Sequence, residues 1–163
     1  MKKKQVSIQY YETDDRSQLP EDEQALLQHA IDMTHNAYAP YSVFFVGAAI
    51  LLENGEVVKG SNQENGAYPS GLCAERVAAF AASAAYPGVR MKKIAICART
   101  NRLEVKEPVS PCGACRQVLL EYELTQHDYI KVLLGTENGK VLIAEKVEDL
   151  LPLSFSGMAL KKE

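Results

Sequence analysis

Three cysteines and one glutamate constrain this chain more than any other feature of its sequence. Cys73 and Glu75 lie in the stretch GLCAER, and Cys112 and Cys115 lie in SPCGACRQ. Each stretch runs into a segment with helical spacing of apolar residues, so each falls at the start of a predicted helix. Any fold that brings the three thiols together must therefore join the N-termini of two helices.

Apolar periodicity predicts the element order α-β-β-α-β-α-β-β. The first helix begins at an acidic turn after Pro20, and Asn54 and Gly55 form a hairpin turn between the first two strands. Several strands are apolar throughout, which is typical of a sheet that is covered on both faces. In the second helix we expect one apolar face to pack on the core: Val77, Phe80, Ala81 and Ala84.

Composition indicates an ordinary globular protein. The 163 residues are 47% hydrophobic and 24% charged, so we expect one domain. The net charge of -3 argues against a nucleic-acid-binding surface, and the short lysine run at 2–4 is typical of a solvated tail. No apolar run reaches membrane-spanning length, and the first residues lack the apolar segment of a signal peptide. We therefore expect a cytoplasmic protein without a membrane or nucleic-acid partner.

Clustered thiols in a reducing compartment favour a metal site over disulfides. A helix N-terminus stabilises thiolates, and three thiolates suit zinc. Structural zinc sites have four protein ligands, whereas catalytic sites have three and a position for water. Cys97, inside a predicted strand, is more typical of a core residue than of a fourth ligand. We expect His29, His35 and His127 on the surface, although folding could bring any of them near the thiols.

Glu75 has two interpretations. An acid in the first turn of a helix commonly serves to stabilise the helix dipole. Beside a metal with an open position, however, a carboxylate that takes a proton from water and passes it on is what hydrolysis requires. The second interpretation explains why the acid lies two residues after a cysteine.

These motifs resemble those of a known enzyme family. C-A-E at 73–75 and P-C-G-A-C at 111–115 fit the three-cysteine form of the zinc deaminase signature. APYSVFFVGAAI, NQENGAYPSGLCAER, SPCGACRQVLLE and LLPLSF are similar, in order, to blocks of the cytidine deaminases that act on free nucleosides. The resemblance covers roughly residues 20–156. It implies a three-layer α/β/α sandwich around a mixed, roughly five-stranded sheet, with residues 17–163 as the domain and 1–16 as an extension.

The resemblance also implies an activity and an assembly. The enzyme would deaminate cytidine and deoxycytidine to uridine and deoxyuridine with release of ammonia, in pyrimidine salvage. Cys73, Cys112 and Cys115 would bind one Zn²⁺ ion per subunit, and Glu75 would transfer the proton. The expected assembly is a homotetramer whose subunits share active sites.

Six further residues match substrate-contacting positions of the family. Asn62 and Glu64 correspond to residues that bind the ribose, although Asn62 could instead be a turn residue. Phe44 corresponds to an aromatic residue near the pyrimidine, and the backbone N–H of Ala74 would bind the base carbonyl. Tyr68 and Phe155 correspond to contacts made across subunits.

Charge balance points to one more residue. Zn²⁺ with three thiolates carries a net charge of -1, which weakens its pull on water. Arg76, beside Glu75, could donate hydrogen bonds to the sulfur atoms, and the resemblance favours it over the other candidate, Arg116.

Two departures and three alternatives remain open. Val43 and Phe45 stand where the family often has a polar residue and a proline, so they bear on base specificity. A deaminase of a nucleoside antibiotic or a free base would share the zinc site. A polynucleotide-editing enzyme is disfavoured by the acidic composition. A protein that uses zinc only for folding would need a fourth ligand and no Glu75.

Overall fold

The computed structural model describes residues 1–160, without the side chains of 158 and 159, and forms a six-stranded mixed sheet flanked by three helices. The strands are β1 (Tyr11–Thr13), β2 (Phe44–Leu52), β3 (Val57–Ser61), β4 (Met91–Thr100), β5 (Lys131–Gly135) and β6 (Val141–Ala144). The helices are α1 (Glu21–Thr34), α2 (Ala74–Ala85) and α3 (Gly113–Gln126). After β1, the order α-β-β-α-β-α-β-β confirms the sequence prediction.

The strands lie in the order β1-β6-β5-β4-β2-β3. Only β4 and β5 are parallel neighbours, and α3 forms the crossover between them. The other pairs are antiparallel, including the β2–β3 hairpin whose turn has Gly55 at φ 86°. Helix α2 leads into the central strand β4, and α3 follows that strand. The N-termini of both helices therefore lie at the end of the sheet where β4 finishes.

Two apolar layers cover the two faces of the sheet. On one face, Leu26, Leu27 and Ala30 of α1 pack against alternate residues of β2, β4 and β5. On the other face, α2 and α3 pack against the remaining residues of the same strands. The expected three-layer α/β/α sandwich is confirmed.

Two glycines allow the helices to approach the sheet closely. A Cβ atom at Gly47 would lie 2.0 Å from the carbonyl oxygen of Ala30 in α1. A Cβ atom at Gly60 would lie 2.6 Å from the carbonyl oxygen of Ala74 and from the backbone nitrogen of Ala78 in α2. These contacts set the height of each helix above the sheet.

The buried face of α2 differs from the predicted one. Its buried apolar residues are Ala74, Ala78, Ala79 and Ala82, whereas Phe80 is 42% exposed and Ala81 and Ala84 are also exposed. The prediction was wrong for Phe80, Ala81 and Ala84, and Val77 is half-buried, because apolar spacing in an alanine-rich helix fits more than one face. The close approach at Gly60 leaves room only for alanine between α2 and the sheet.

The sixth strand comes from the segment that the sequence analysis placed outside the domain. Tyr11 and Thr13 of β1 pair with Ile143 and Val141 of β6. The division into an extension at 1–16 and a domain at 17–163 stays a prediction, and residues 161–163 lie outside those described. Within residues 1–160, the helices are too short or too polar to cross a membrane.

Candidate active site

A closed loop between β3 and α2 positions Cys73. Gln63 and Leu72 exchange two backbone hydrogen bonds of 2.9 Å, so the loop ends where it began. The N–H of Glu64 donates to the carbonyl of Tyr38 at 2.8 Å, which joins the loop to the end of α1. Cys73 directly follows Leu72, which these hydrogen bonds hold in place, and is the N-cap of α2.

The three sulfur atoms meet where α2 and α3 begin. Cys73 and Cys112 are the N-caps of the two helices, and Cys115 lies in the first turn of α3. Sγ of Cys112 is 4.0 Å from Sγ of Cys73 and 3.6 Å from Sγ of Cys115, and all three lie within 4.8 Å of one another. Tetrahedral zinc–thiolate bonds of about 2.3 Å place sulfur atoms about 3.8 Å apart. This sulfur cluster, Cys73, Cys112 and Cys115, therefore fits zinc.

The thiols of the sulfur cluster differ in acidity. A hydrogen bond from Cys115, together with those from Arg76 and Cys112, lowers the pKa of Cys73 to about 5. The same interaction with Cys73 raises the pKa of Cys115. Neighbouring thiolates repel each other unless a cation lies between them.

The two arginine candidates have different partners. Nη2 of Arg76 lies 3.8 Å from Sγ of Cys73, in position to donate to the sulfur. Arg116 instead donates from Nε to the carbonyl of Pro111 and from Nη1 to the carbonyl of Leu150, each at 2.8 Å. Of the two, Arg76 has the contact that a charge-compensating donor needs.

Glu75 is a buried acid that lines a cavity together with Cys73 and Cys112. Glu75 is 4% exposed, and burial raises its pKa. The negative charge on Cys73 raises this pKa further. A raised pKa brings a carboxyl group closer to the range in which it can both accept and donate a proton near neutral pH.

The cavity has a volume of about 680 Å³ and is lined by residues at the starts of α2 and α3 and by residues near the start of β2 and after β3. Its floor includes Cys73, Cys112 and Glu75. Its outer part, which we call the rim, consists of residues 41–44 and 62–68. The rim residues that line the cavity are Tyr41, Ser42, Phe44, Asn62, Gln63, Glu64, Asn65 and Tyr68.

Asn62 and Glu64 both organise the rim. Oδ1 of Asn62 accepts from the N–H of Val46 at 2.7 Å, and Nδ2 donates to the carbonyl of Phe44 at 2.9 Å. Oε2 of Glu64 accepts from the N–H groups of Tyr41 at 2.9 Å and Ser42 at 3.3 Å. The Ser42 hydroxyl, followed by these N–H groups, lowers the pKa of Glu64, so the rim holds a carboxylate. The predicted ribose contacts stay predictions.

Phe44 follows a strained residue. Val43 has φ 57°, in the left-handed region that β-branched side chains rarely adopt. Such a conformation costs on the order of 1–3 kcal/mol and persists where surrounding contacts enforce it. Val43, which departs from the family's usual residue, is thus the strained position of the rim backbone. The other departure, Phe45, packs under the guanidinium of Arg99, which lies 4.5 Å from its ring centroid.

Tyr68, Ala74 and Phe155 lie at different depths. Tyr68 lines the cavity, is 74% exposed and packs edge-on against Tyr41. Ala74 is buried at the first position of α2, where a backbone N–H has no preceding turn to bond. Phe155 is 64% exposed and is not among the residues that line the cavity.

Comparisons with known proteins identify the family. A family model described as cytidine and deoxycytidylate deaminase zinc-binding region matches residues 20–130. The cytidine deaminase of Halalkalibacterium halodurans is 43% identical over 135 residues, which are 83% of this chain and 95% of that protein. The chain belongs to the cytidine deaminase family.

Solved structures agree with this assignment. The cytidine deaminase from Burkholderia pseudomallei has a TM-score of 0.71 and 39% identity, and the match covers 84% of this chain and 100% of that one. The cytidine deaminase from Mycobacterium tuberculosis has a TM-score of 0.64 and 34% identity, with 83% and 98% covered. This member of the family is therefore a zinc-dependent enzyme, and the sulfur cluster is where its zinc fits.

The other candidate ligands lie elsewhere in this deaminase fold. Cys97 is 1% exposed on the α1 face of the sheet, where burial raises its pKa to about 12. His29 lies on α1, and His35 and His127 are exposed residues at the ends of α1 and α3. Among the described residues, only the three cysteines form a metal-competent group. The core interpretation of Cys97 is confirmed.

Sequence reasoning missed several cavity residues of this deaminase. Tyr41 and Ser42 follow Pro40 in the loop after α1, and Val109 directly precedes the SPCGAC stretch. Their positions next to recognised motifs were the available signal. Nothing local indicated that the Tyr41 and Ser42 N–H groups would pair with Glu64, more than twenty positions away in the chain.

Proposed function

We propose that this enzyme converts cytidine and deoxycytidine to uridine and deoxyuridine, and so takes part in pyrimidine salvage. Family membership carries the coarser statement that the chain is a hydrolytic cytidine deaminase. The observation that carries the proposal is the buried Glu75 on the same cavity wall as Cys73 and Cys112. The cavity volume of about 680 Å³ is in the range of small-molecule sites, with space for a nucleoside.

The residues divide the chemistry between them. Cys73, Cys112 and Cys115 would hold the zinc, which when bound lowers the pKa of water toward neutrality. The Glu75 carboxylate takes a proton from the attacking water and delivers it to N3 of the base. The water oxygen then bonds to C4, Glu75 takes the remaining proton of the new hydroxyl and delivers it to the amino group, and the C4–N bond breaks to leave a C4 carbonyl and ammonia.

The surroundings of Glu75 support this role. Its raised pKa favours a carboxyl group that gains and loses a proton within one cycle. Arg76 would compensate the negative charge of the sulfur cluster through its donor near Cys73. The carbonyl of Pro111 is bonded to Arg116, so Ser110, which lines the cavity, is the better candidate to orient the leaving amine.

The rim would bind the rest of the nucleoside. Glu64 would accept a hydrogen bond from a ribose hydroxyl, which its lowered pKa supports because the group stays ionised. The Asn62 side chain already makes two hydrogen bonds to β2, so it would bind the ribose through the second lone pair of Oδ1 or the second N–H of Nδ2. Phe44 would pack near the pyrimidine, and the N–H of Ala74 would donate to the base carbonyl.

We further propose a homotetramer in which neighbouring subunits complete each site. Phe155 and Leu153 are 64% and 95% exposed, and the outward face of α2 contains the exposed Phe80. Apolar surface of this kind is typical of a protein that associates, and closed symmetric assemblies are the usual outcome. In such an assembly Phe155 and Tyr68 would form walls of a shared cavity.

The reduced cysteines suit a cytoplasmic location.

One assay separates the proposal from its alternatives. The purified protein is analysed for zinc, and ammonia release is measured with cytidine, deoxycytidine, cytosine and a cytosine-containing single-stranded DNA. We expect about one zinc ion per chain and turnover of the two nucleosides only. Turnover of the free base or of DNA, or zinc without turnover, would contradict the proposed substrate or the enzymatic role.

A further inference from the structure

The backbone at Val43 is the clearest strained feature beside the cavity. Within the described residues, the non-glycine positions with positive φ are Val43, His127 and Leu153. His127 ends α3, where a left-handed residue is common, and Leu153 lies in the exposed C-terminal segment. Val43 alone of the three directly precedes a residue that lines the cavity, Phe44.

Two hydrogen bonds hold Val43 in this conformation. Its N–H donates to the carbonyl of Ala39 at 3.1 Å, and its carbonyl accepts from the hydroxyl of Thr100 at 2.7 Å. Thr100 is the last residue of β4 and lies opposite Phe44 in the antiparallel register. Its hydroxyl also accepts from the N–H of Arg102 at 3.3 Å, so this group joins the start of β2 to the next loop.

The direction of Phe44 and of two N–H groups depends on this turn. Val43 stands between Phe44 and the Tyr41 and Ser42 N–H groups that bind Glu64. If Val43 relaxed to an ordinary φ, the chain on one side of it would rotate relative to the other. The Phe44 ring and the Glu64 carboxylate would then no longer keep their present relation.

We propose that Thr100 is a positioning residue for nucleoside binding, because its hydroxyl holds Val43 in the left-handed conformation that orients Phe44 and Glu64. Thr100 acts through Val43 and does not need to touch the substrate. Only the binding-competent fraction of the protein then determines the apparent affinity. The inference rests on cytidine as the substrate and concerns binding, not proton transfer.

The first test replaces Thr100 with valine, which keeps the shape and removes the hydroxyl. We expect Thr100→Val to raise KM for cytidine and Kd for the product uridine by about 3- to 10-fold, the worth of one net hydrogen bond. The value of kcat and the zinc content should stay near those of the wild type, since Glu75 and the sulfur cluster are unchanged. Thr100→Ser, which retains the hydroxyl, should restore KM.

A matched control and a double variant separate positioning from general damage. Thr136 is buried and its hydroxyl donates to the carbonyl of Lys140 at 3.1 Å, away from the cavity, so Thr136→Val should leave KM unchanged. Glycine adopts positive φ without steric cost. Adding Val43→Gly to Thr100→Val should therefore bring KM back toward the wild-type value.

Three results would overturn the inference: an unchanged KM in active Thr100→Val, an equal rise in Thr136→Val, or no recovery in the double variant. The last result would assign the effect of Thr100 to Arg102 and its loop. A wild-type protein that releases no ammonia from cytidine would instead refute the proposed function. Uridine binding by calorimetry keeps the two failures distinguishable.

Discussion

The sulfur cluster and the rim occupy one cavity but have different supports. The cluster lies at the starts of two helices whose inner faces are buried, with Ala74 and Cys115 both 0% exposed. The rim consists mostly of loop residues such as Tyr41 and Tyr68, 51% and 74% exposed, and hydrogen bonds of the Glu64 and Asn62 side chains hold it in place. Helices that pack on the core therefore anchor Glu75 and the sulfur cluster, in which Cys115 is buried, Cys73 half-buried and Cys112 exposed, whereas the rim depends on contacts that are easier to change.

This contrast predicts how substitutions divide. Changes at the sulfur cluster or at Glu75 should alter zinc content or turnover, because we propose that these groups hold the metal and transfer the proton. Changes at the rim or the C-terminal segment should alter KM, because they affect the fraction of protein that can bind substrate.

The largest effect is expected at Glu75, the proposed proton-transferring acid. Glu75→Gln should lower kcat by about 10²- to 10⁴-fold with zinc content and fold retained, because the amide cannot carry the proton. Glu123→Gln is the matched control: Glu123 is equally buried but accepts from the N–H groups of Ile130, Val147 and Glu148. The control should lose about 1–3 kcal/mol of unfolding free energy and keep its turnover per zinc. Wild-type turnover in Glu75→Gln would show that another group transfers the proton.

The second effect concerns the charge of the sulfur cluster. Arg76→Ala should weaken zinc retention or lower the rate by about 10- to 100-fold, because the donor near Sγ of Cys73 is lost. Arg76→Gln, which can still donate, should be milder. Competition with a chelator measures the affinity, and Arg90→Ala, a change in an ion pair with Glu53, is the control. Equal zinc affinity and rate in Arg76→Ala and wild type would contradict the role.

A third prediction tests whether the core holds the sulfur cluster in place. Gly60→Ala should lower the free energy of unfolding by about 1–3 kcal/mol, because its Cβ would push α2 away from β3. Zinc should also be released more readily, since Cys73 moves with α2. Gly113→Ala makes the same change at the start of α3, where no atom lies within 4 Å of the new Cβ. Similar losses from both variants in denaturant titrations would break the argument.

The smallest effect is expected outside the subunit's own cavity. Phe155→Ala should raise KM for cytidine by about 3- to 10-fold with zinc content unchanged, because in the proposed tetramer one aromatic wall of the site is lost. Leu153→Ala, in the same exposed segment, is the control and should have little effect. Sedimentation at assay concentration tests the assembly. A fully active monomer would remove the shared site and leave Phe155 without a role in binding.

Short-range signals in the sequence predicted much of the sulfur cluster. Cys73, Cys112 and Cys115 each lie within a few residues of a helix start, and that position depends on nearby residues alone. Glu75 follows by its spacing from Cys73. The three helices, the strands β2 to β6 and the β2–β3 turn were predicted for the same reason, since apolar period and turn residues are local properties.

The rest required residues that are distant in the chain. Phe80 of α2 faces outward because Gly60 brings the helix too close to the sheet for a large side chain. β1 exists because β6 offers an unpaired edge, and Arg116 binds Leu150 because the C-terminal segment returns to α3.

The sequence by itself indicated the family and the three cysteines of the sulfur cluster, and it predicted the role of Glu75, because each depends on residue type and short spacing. Only the tertiary structure decided the left-handed turn at Val43 and the hydroxyl of Thr100 that holds it. It also decided which groups bind the Glu64 carboxylate. The physical reason is that backbone strain and hydrogen bonds between strands depend on how distant segments meet, and no local pattern records that meeting.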